Sequence, residues 1–213
     1  MNIALIGATG FVGSALLTEL LQRGHRVTAL ARDTRKISAQ SGLTVIQADV
    51  QDAAQVAQAV QGHDAVISAF NAGWRNPNLY DDFIAGSKAI TAGVMAGGVK
   101  RLLVVGGAGS LYVTPGIQLV DTEGFPAEWK TGATAARDAL TQIQTQSDLD
   151  WTFISPPVHL APGERTGQFR TGGDELLMTS DGPASISTAD LAMAIVDEIE
   201  TPQHLRRRFT VGY

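Results

Sequence analysis

Short apolar runs alternate with segments of helical periodicity along most of the chain. The run Asn2–Ile6 ends at a glycine, as a buried strand does, and the next segment, 11–23, has its apolar residues at helical spacing. Similar runs predict further strands at 26–31, 43–48, 64–70, 100–105, 150–155 and 208–211 and further helices at 52–61, 79–97, 131–146 and 188–200. This alternation predicts an α/β fold of the Rossmann type, with a doubly wound parallel sheet covered by helices on both faces.

The last quarter of the chain departs from the alternation. From His159 to Tyr213 the sequence is rich in loops before it ends in one helix and one strand. At 213 residues the chain fits a single domain, residues 1–213, to which this last segment (159–213) adds a small C-terminal substrate lobe. The longest irregular stretch elsewhere, 106–130, is of a length that is usually functional or mobile.

Three glycines, Gly7, Gly10 and Gly13, lie three residues apart between the first strand and the first helix. A sharp turn, a close approach of the backbone to phosphate oxygens and free N–H groups at a helix start together bind a pyrophosphate. Because the glycines stand in that strand–turn–helix context, we interpret GATGFVG as a dinucleotide-binding loop, with the Thr9 hydroxyl beside it.

The end of the second strand indicates which dinucleotide is bound. Arg32 lies 19 residues after Gly13 and precedes Asp33. An acidic residue at this point binds the ribose 2′-hydroxyl of NAD, whereas an arginine accommodates the 2′-phosphate of NADP. The sequence therefore favours NADP(H) over NAD(H), with the alternative that Arg32 is solvated and Asp33 caps a helix.

GATGFVG resembles the first turn of the atypical and extended short-chain dehydrogenases/reductases. Further segments, 48–50 (ADV), 68–73 (SAFNAG) and 104–110 (VVGGAGS), resemble the same superfamily. The chain is most similar to the small NAD(P)H-binding proteins known as NADH-flavin reductases, which are similar to NmrA-like proteins and to the flavin reductase/biliverdin reductase B group. The stretch 163–169 (GERTGQF) resembles that group's substrate loop. The resemblance covers nearly the whole chain and is most specific in the cofactor half.

The resemblance implies positions for the cofactor and for the reaction. The glycine loop would hold the pyrophosphate, Arg32 the adenosine ribose, and the residues after the third, fourth and sixth strands the adenine, ribose and nicotinamide. The cofactor-binding residues expected on this basis are Gly7, Thr9, Gly10, Phe11, Val12, Gly13, Arg32, Asp49, Val50, Ala69, Phe70, Asn71, Pro156, Pro157 and Val158. Ser110 is expected beside the nicotinamide as a hydrogen-bond donor, and His159 is either a proton donor or a loop residue without a role.

One feature of the superfamily is missing. Its reductases and epimerases of the extended type use a Tyr-x-x-x-Lys pair as acid/base. Here, four residues after Tyr80 comes Ile84 and four after Tyr112 comes Gly116, and Tyr213 has no such partner. Hydride transfer to a conjugated acceptor needs no such pair, because water or a hydroxyl can supply the proton.

We therefore expect an NADPH-dependent reductase of a flavin, quinone or similar planar acceptor. A non-catalytic NADP(H)-binding redox sensor is the alternative, and an epimerase- or dehydratase-like enzyme is the least favoured. The segments 114–129 and 160–178 are expected to select the acceptor, although they contain no recognisable motif. Trp74, Arg75 and Tyr112 either form a stacking wall for it or only cap a loop.

Composition excludes several other classes. A formal net charge of -5 disfavours a nucleic-acid partner, and the single basic run, 206–208, is expected to be a solvated strand entry. There is no cysteine, and no cluster of His, Asp and Glu has metal-ligand spacing, so no metal is expected. No apolar run is long enough for a membrane span and no signal peptide is evident, so we expect a cytoplasmic protein. The oligomeric state is left open.

Overall fold

A computed structural model describes all residues, 1–213. Its helices are α1 (Phe11–Gln22), α2 (Ala53–Val60), α3 (Leu79–Ala96), α4 (Ala127–Ile143) and α5 (Thr188–Glu200). Its strands are β1 (Asn2–Ile6), β2 (Arg26–Ala31), β3 (Leu43–Gln47), β4 (Ala65–Ser68), β5 (Arg101–Val105), β6 (Tyr112–Thr114), β7 (Ile117–Gln118), β8 (Asp150–Ser155), β9 (His159–Ala161), β10 (Arg170–Gly172), β11 (Met178–Thr179), β12 (Gly182–Pro183), β13 (Ser185–Ser187) and β14 (Arg207–Gly212).

Eight strands form the main sheet in the order β10-β14-β8-β5-β4-β1-β2-β3. All neighbours in it are parallel except β10 and β14, which are antiparallel. The strand order reverses between β1 and β4, as it does in dinucleotide-binding folds. The predicted doubly wound parallel sheet is therefore confirmed.

The helices cover both faces of the sheet. Helices α1 and α5 pack together on one face, and α2, α3 and α4 pack side by side on the other. Each layer encloses its own apolar core, one containing Leu16 and Ile195 and the other containing Val56 and Leu140. None of the helices is both long enough and apolar enough to cross a membrane.

Helix α4 begins four residues earlier than the periodicity predicts, at Ala127 instead of Thr131. Pro126 stands directly before it with φ -62°, close to the helical value. Proline is well tolerated at a helix start because the N–H group that it lacks would have no partner within the helix there. The change brings Trp129 onto the first turn of α4.

The segment 159–213 is divided between the main sheet and a loop-rich region. Helix α5 packs on α1, and β14 pairs with β8, so both belong to the central layers. The stretch 163–169 is fixed to α5 by the carboxylate of Asp190, which is fully buried. That carboxylate accepts hydrogen bonds from the Thr166 and Gly167 backbone N–H groups at 2.8 and 2.9 Å and from the Tyr213 hydroxyl at 2.8 Å.

The prediction of a solvated basic run is wrong for Arg208, which is only 7% exposed. Strand β14 lies between β8 and β10, and its residues 208–212 are all buried, so side chains on both faces of this strand are covered. The Arg208 guanidinium donates to the Asp174 carboxylate (Nε–Oδ1 2.7 Å) and to the Ser110 carbonyl oxygen (2.6 Å). It thereby joins the loop after β5 to the loop before β11.

Candidate functional site

A cavity of about 650 Å³ opens at the carboxyl ends of the central strands. It is lined by the loops that follow β1, β4, β5 and β8, together with the first half of α4. Ligands of open α/β sheets bind at this edge, where the strand order reverses. The position alone makes the cavity the candidate functional site.

The glycine loop forms one end of the cavity. Gly7 has φ +84°, a conformation that glycine adopts at no cost, and a Cβ there would lie 2.4 Å from the Ala69 carbonyl oxygen. A Cβ on Gly13 would lie 1.9 Å from the Gly7 carbonyl oxygen, so only glycine allows the helix to start this close to the strand. No side chain caps α1, and the first N–H groups of a helix have no partner inside it. This cradle fits a dinucleotide pyrophosphate.

The cavity brings nine of the predicted cofactor residues together. They come from three loops that are far apart in sequence but adjacent at the sheet edge. These residues are Gly10, Phe11, Val12, Ala69, Phe70, Asn71, Pro156, Pro157 and Val158. Gly7, Thr9 and Gly13 do not line the cavity; Gly7 and Gly13 form the turn behind it.

The remaining predicted residues follow β2 and β3 at the same edge, beyond the cavity. Arg32 is exposed directly after β2. Asp49 and Val50 follow β3; the Asp49 carboxylate accepts the Gln51 backbone N–H at 3.0 Å, while Val50 is buried in the core. Adenine and its ribose lie along this edge in dinucleotide-binding folds, so the placement is compatible with the predicted roles.

The carboxylate of Asp33 is held by its neighbours. It accepts from the Arg35 side chain (Nε–Oδ1 2.9 Å) and from the Arg35 backbone N–H, and so caps the short 3₁₀ turn Thr34–Lys36. The hydrogen bond from the Arg35 guanidinium keeps the pKa of Asp33 below its ordinary value. Arg32 makes no such pair, so it is the free charged side chain at the end of β2.

Neither predicted catalytic side chain lines the cavity. Ser110 is 1% exposed, and its hydroxyl accepts from the Arg208 guanidinium at 3.1 Å. His159 is exposed on β9, between Val158 and Leu160, which both face the cavity. Since side chains alternate along a strand, His159 points elsewhere. Their catalytic roles stay predictions that this arrangement does not support.

Aromatic side chains make up the far wall. The rings of Trp74 and Trp129 meet edge to face with centroids 4.8 Å apart, and Phe83 and Phe125 complete the wall. Trp74 was a candidate from sequence, but Arg75 and Tyr112 do not line the cavity. Trp129 lies in the segment 114–129, which the sequence predicts to select the acceptor, but its place on a helix was missed; the proline before an amphipathic segment was the signal for it.

No tyrosine is available for acid/base chemistry in the cavity. The Tyr80 hydroxyl donates to the Asp138 carboxylate at 2.7 Å, and this bond raises the pKa of Tyr80, the opposite of what a general base needs. Tyr112 lies beneath the Arg208 guanidinium, and the Tyr213 hydroxyl bonds to Asp190. The structure also contains no group of three or more His, Cys, Asp or Glu side chains arranged to hold a metal ion.

Comparison with solved structures finds whole-chain similarity to three bacterial proteins with provisional names. An exported protein from Burkholderia pseudomallei is 46% identical, with a TM-score of 0.89 over 100% of both chains. An epimerase from Bacteroides thetaiotaomicron is 43% identical, with a TM-score of 0.93 over 100% of this chain and 96% of that one. An NADH-flavin reductase from Streptococcus pneumoniae TIGR4 is 36% identical, with a TM-score of 0.86 over 100% of this chain and 99% of that one.

The model of one protein family also matches almost the entire chain. The match runs over residues 7–202, from the first glycine of the loop to just past α5, and the family is described as NAD(P)H-binding. The cradle of the glycine loop and the cavity that continues from it agree with this description. This chain belongs to the NAD(P)H-binding family.

Proposed function

We propose that this protein is an NADPH-dependent reductase that transfers hydride to a flavin, quinone or similar conjugated acceptor. The observation that carries the proposal is one continuous cavity, which runs from the glycine loop at Gly10 to the aromatic wall at Trp74. One end has the cradle for a dinucleotide, and the other offers flat apolar surface for a second ring. A protein that only stored the cofactor would not need that second surface.

The cofactor supplies the hydride, and the chain's own residues bind and orient it. The loop from Gly7 to Gly13 would hold the pyrophosphate, and Pro156, Pro157 and Val158 would border the nicotinamide. Water-excluding walls then keep the reduced ring beside the acceptor.

The preference for NADPH over NADH rests on Arg32. A planar guanidinium matches phosphate geometry, and Arg32 is free to turn toward a 2′-phosphate. Asp33, which would otherwise accept the ribose hydroxyls of NADH, is engaged by Arg35 at 2.9 Å. The ion pair thus competes with the ribose hydroxyls of NADH for this carboxylate.

The absence of an acid/base side chain supports a conjugated acceptor over an alcohol or a sugar. Reduction of an isolated carbonyl or epimerisation requires proton transfer by a positioned group. All three tyrosines lie outside the cavity, and two of them are bonded to carboxylates. A quinone or flavin stabilises the added electron pair in its own ring system, so solvent can deliver the proton.

Steady-state kinetics test the proposal. Purified protein is mixed with NADPH and, in turn, with flavins and quinones, while the absorbance of the reduced nicotinamide is followed. Saturable consumption that depends on protein and acceptor is the expected result. Tight NADPH binding without turnover on any acceptor would contradict the proposal and favour a redox sensor.

The Ser110→Ala variant tests the remaining catalytic prediction in the same assay. The Arg208 guanidinium keeps its bond to the Ser110 carbonyl oxygen in this variant, so the loop should hold its place. Because the hydroxyl is already bonded to Arg208, we expect turnover within about twofold of the unsubstituted protein. A loss of tenfold or more would place the hydroxyl in the mechanism.

A further inference from the structure

The side chains that line the cavity carry no charge. Asn71 is the one amide among them, and the indole N–H groups of Trp74 and Trp129 are the other polar groups. The Asn71 side-chain oxygen is already bonded to the Gly73 backbone N–H at 2.7 Å. All other lining residues are glycine, alanine, proline or larger apolar residues. Away from the glycine loop, whose free backbone N–H groups form the pyrophosphate cradle, the cavity therefore has no side-chain counter-ion for a charged ring.

Two nearby guanidinium groups are committed elsewhere, and a third, that of Arg75, does not line the cavity. Arg137 on α4 pairs with Asp138 (3.0 Å) and Asp121 (3.0 Å). Arg208 pairs with Asp174 and with the loop at Ser110. Neither lines the cavity, so neither is placed to neutralise an anion inside it.

An anionic group at the aromatic end of the cavity is disfavoured. Moving a carboxylate, sulfonate or phosphate out of water without a counter-ion costs several kcal/mol even after relaxation. An uncharged aromatic ring, by contrast, gains from burial and from offset or edge contacts with the aromatic wall. The apolar lining thus favours acceptors whose ring carries no charged group over those whose ring carries one.

We propose that the cavity selects an uncharged, planar, conjugated ring as hydride acceptor and rejects analogues with an anionic group on the ring. This inference rests on the proposed reductase function and specifies its substrate class. A neutral quinone or an isoalloxazine ring without a phosphate has this chemistry. The acceptor gains the hydride and one proton from water, the C4–H bond of the reduced nicotinamide breaks, and the oxidised nicotinamide leaves.

The primary test compares menadione with a naphthoquinone that carries a sulfonate on the quinone ring. We expect kcat/KM with NADPH to be at least tenfold higher for menadione. Riboflavin and FMN form a second pair, in which only FMN is charged and its phosphate lies on the flexible tail. Comparison of their kcat/KM with that of menadione shows whether flavins or quinones are the better acceptors. Equal kcat/KM for menadione and the sulfonate would overturn the inference.

A pair of variants assigns the selectivity to the cavity wall. Trp129→Lys places a cation at a partly exposed lining position. Trp129→Met removes the same ring and introduces an uncharged side chain of about the length of lysine. We expect only Trp129→Lys to lower the ratio of kcat/KM for menadione to kcat/KM for the sulfonate, by about fivefold or more. An equal ratio in both variants would show that charge in the wall does not set selectivity.

Binding without turnover separates failure of this inference from failure of the proposed function. Equilibrium dialysis of menadione and the sulfonate is carried out with the protein saturated with NADP⁺. Preferential binding of menadione supports the inference even if no acceptor is reduced. Binding of the sulfonate as tightly as menadione overturns it whether or not the protein is a reductase.

Discussion

Single atoms determine the geometry of the cofactor end of the site. A methyl group at Gly13 would fall 1.9 Å from the Gly7 carbonyl oxygen, so α1 could not start where it does. One ion pair acts at the other end of the expected cofactor site, where Arg35 holds Asp33 and leaves Arg32 free. The first contact explains why the chain has glycine at position 13, and the second leads to a measurable expectation for Arg32.

Replacing Arg32 with alanine should weaken NADPH binding while leaving NADH binding unchanged. A charge-assisted hydrogen bond contributes about 1.5–3 kcal/mol, and the exposed position places the effect at the lower end, about tenfold in Kd. Titration of the protein's intrinsic fluorescence with each cofactor measures both constants. Lys36→Ala, an exposed cation four residues on, is the matched control and should change neither. An unchanged NADPH Kd in Arg32→Ala would remove Arg32 from the 2′-phosphate site.

Asp190→Asn should destabilise the fold in a pH-dependent way. Burial alone would raise the pKa of Asp190, but the hydrogen bonds from Thr166, Gly167 and Tyr213 outweigh it and keep the pKa below the ordinary value. The carboxylate therefore stabilises the fold fully above pH about 3.9 and loses that contribution as pH falls through the lower folded-state pKa. The amide cannot accept all of these bonds, so we expect a loss of about 1–3 kcal/mol near pH 7.

Urea unfolding at a series of pH values measures this effect. The difference in unfolding free energy between the unsubstituted protein and Asp190→Asn should be largest above pH about 4 and should shrink below it. Acidic groups common to both proteins, such as Glu19 and Glu198, cancel in the comparison. A difference that stays constant down to the acid transition would contradict the assignment of the lowered pKa to Asp190.

Helix α4 shapes the acceptor end of the cavity at the scale of elements. Beyond Trp129, its face toward the cavity consists of the small residues Gly132, Ala133 and Ala136, and this leaves room for the Trp74 ring against the helix. A Cβ on Gly132 would lie 2.5 Å from that ring. The Trp74 ring thus occupies the space that a side chain at position 132 of α4 would fill.

Gly132→Ala should therefore alter acceptor binding and leave cofactor binding intact. The added methyl group forces the half-exposed Trp74 ring to move, while the helix itself gains a better helix former. We expect KM for the acceptor to change at least threefold, with the NADPH Kd unchanged. Gly124→Ala, where a Cβ meets nothing within 4 Å, is the matched control. An unchanged KM for the acceptor in Gly132→Ala would show that Trp74 does not contact the acceptor.

At the scale of the whole molecule, periodicity and glycine spacing predicted seven of the eight strands of the main sheet, all five helices and the glycine loop, but not the short edge strand β10. Strands such as 26–31 and 150–155 have the predicted bounds because apolar runs flanked by polar residues define them sharply. The aromatic wall was only partly predictable, because Trp74 and Trp129 are 55 residues apart in sequence and meet only after α3 and α4 pack. The roles of Arg208 and Asp190 likewise depend on strand order and loop closure, which a single sequence does not display.

The central claim is that this cavity transfers hydride from NADPH to a conjugated ring. Anaerobic single-turnover measurements on the protein loaded with NADPH test it most directly, with menadione as acceptor and with deuterium at the transferred position of the nicotinamide. We predict oxidation that saturates with menadione, exceeds the protein-free rate and slows with deuterium. Oxidation no faster than the protein-free reaction, with NADPH still tightly bound, would contradict the claim.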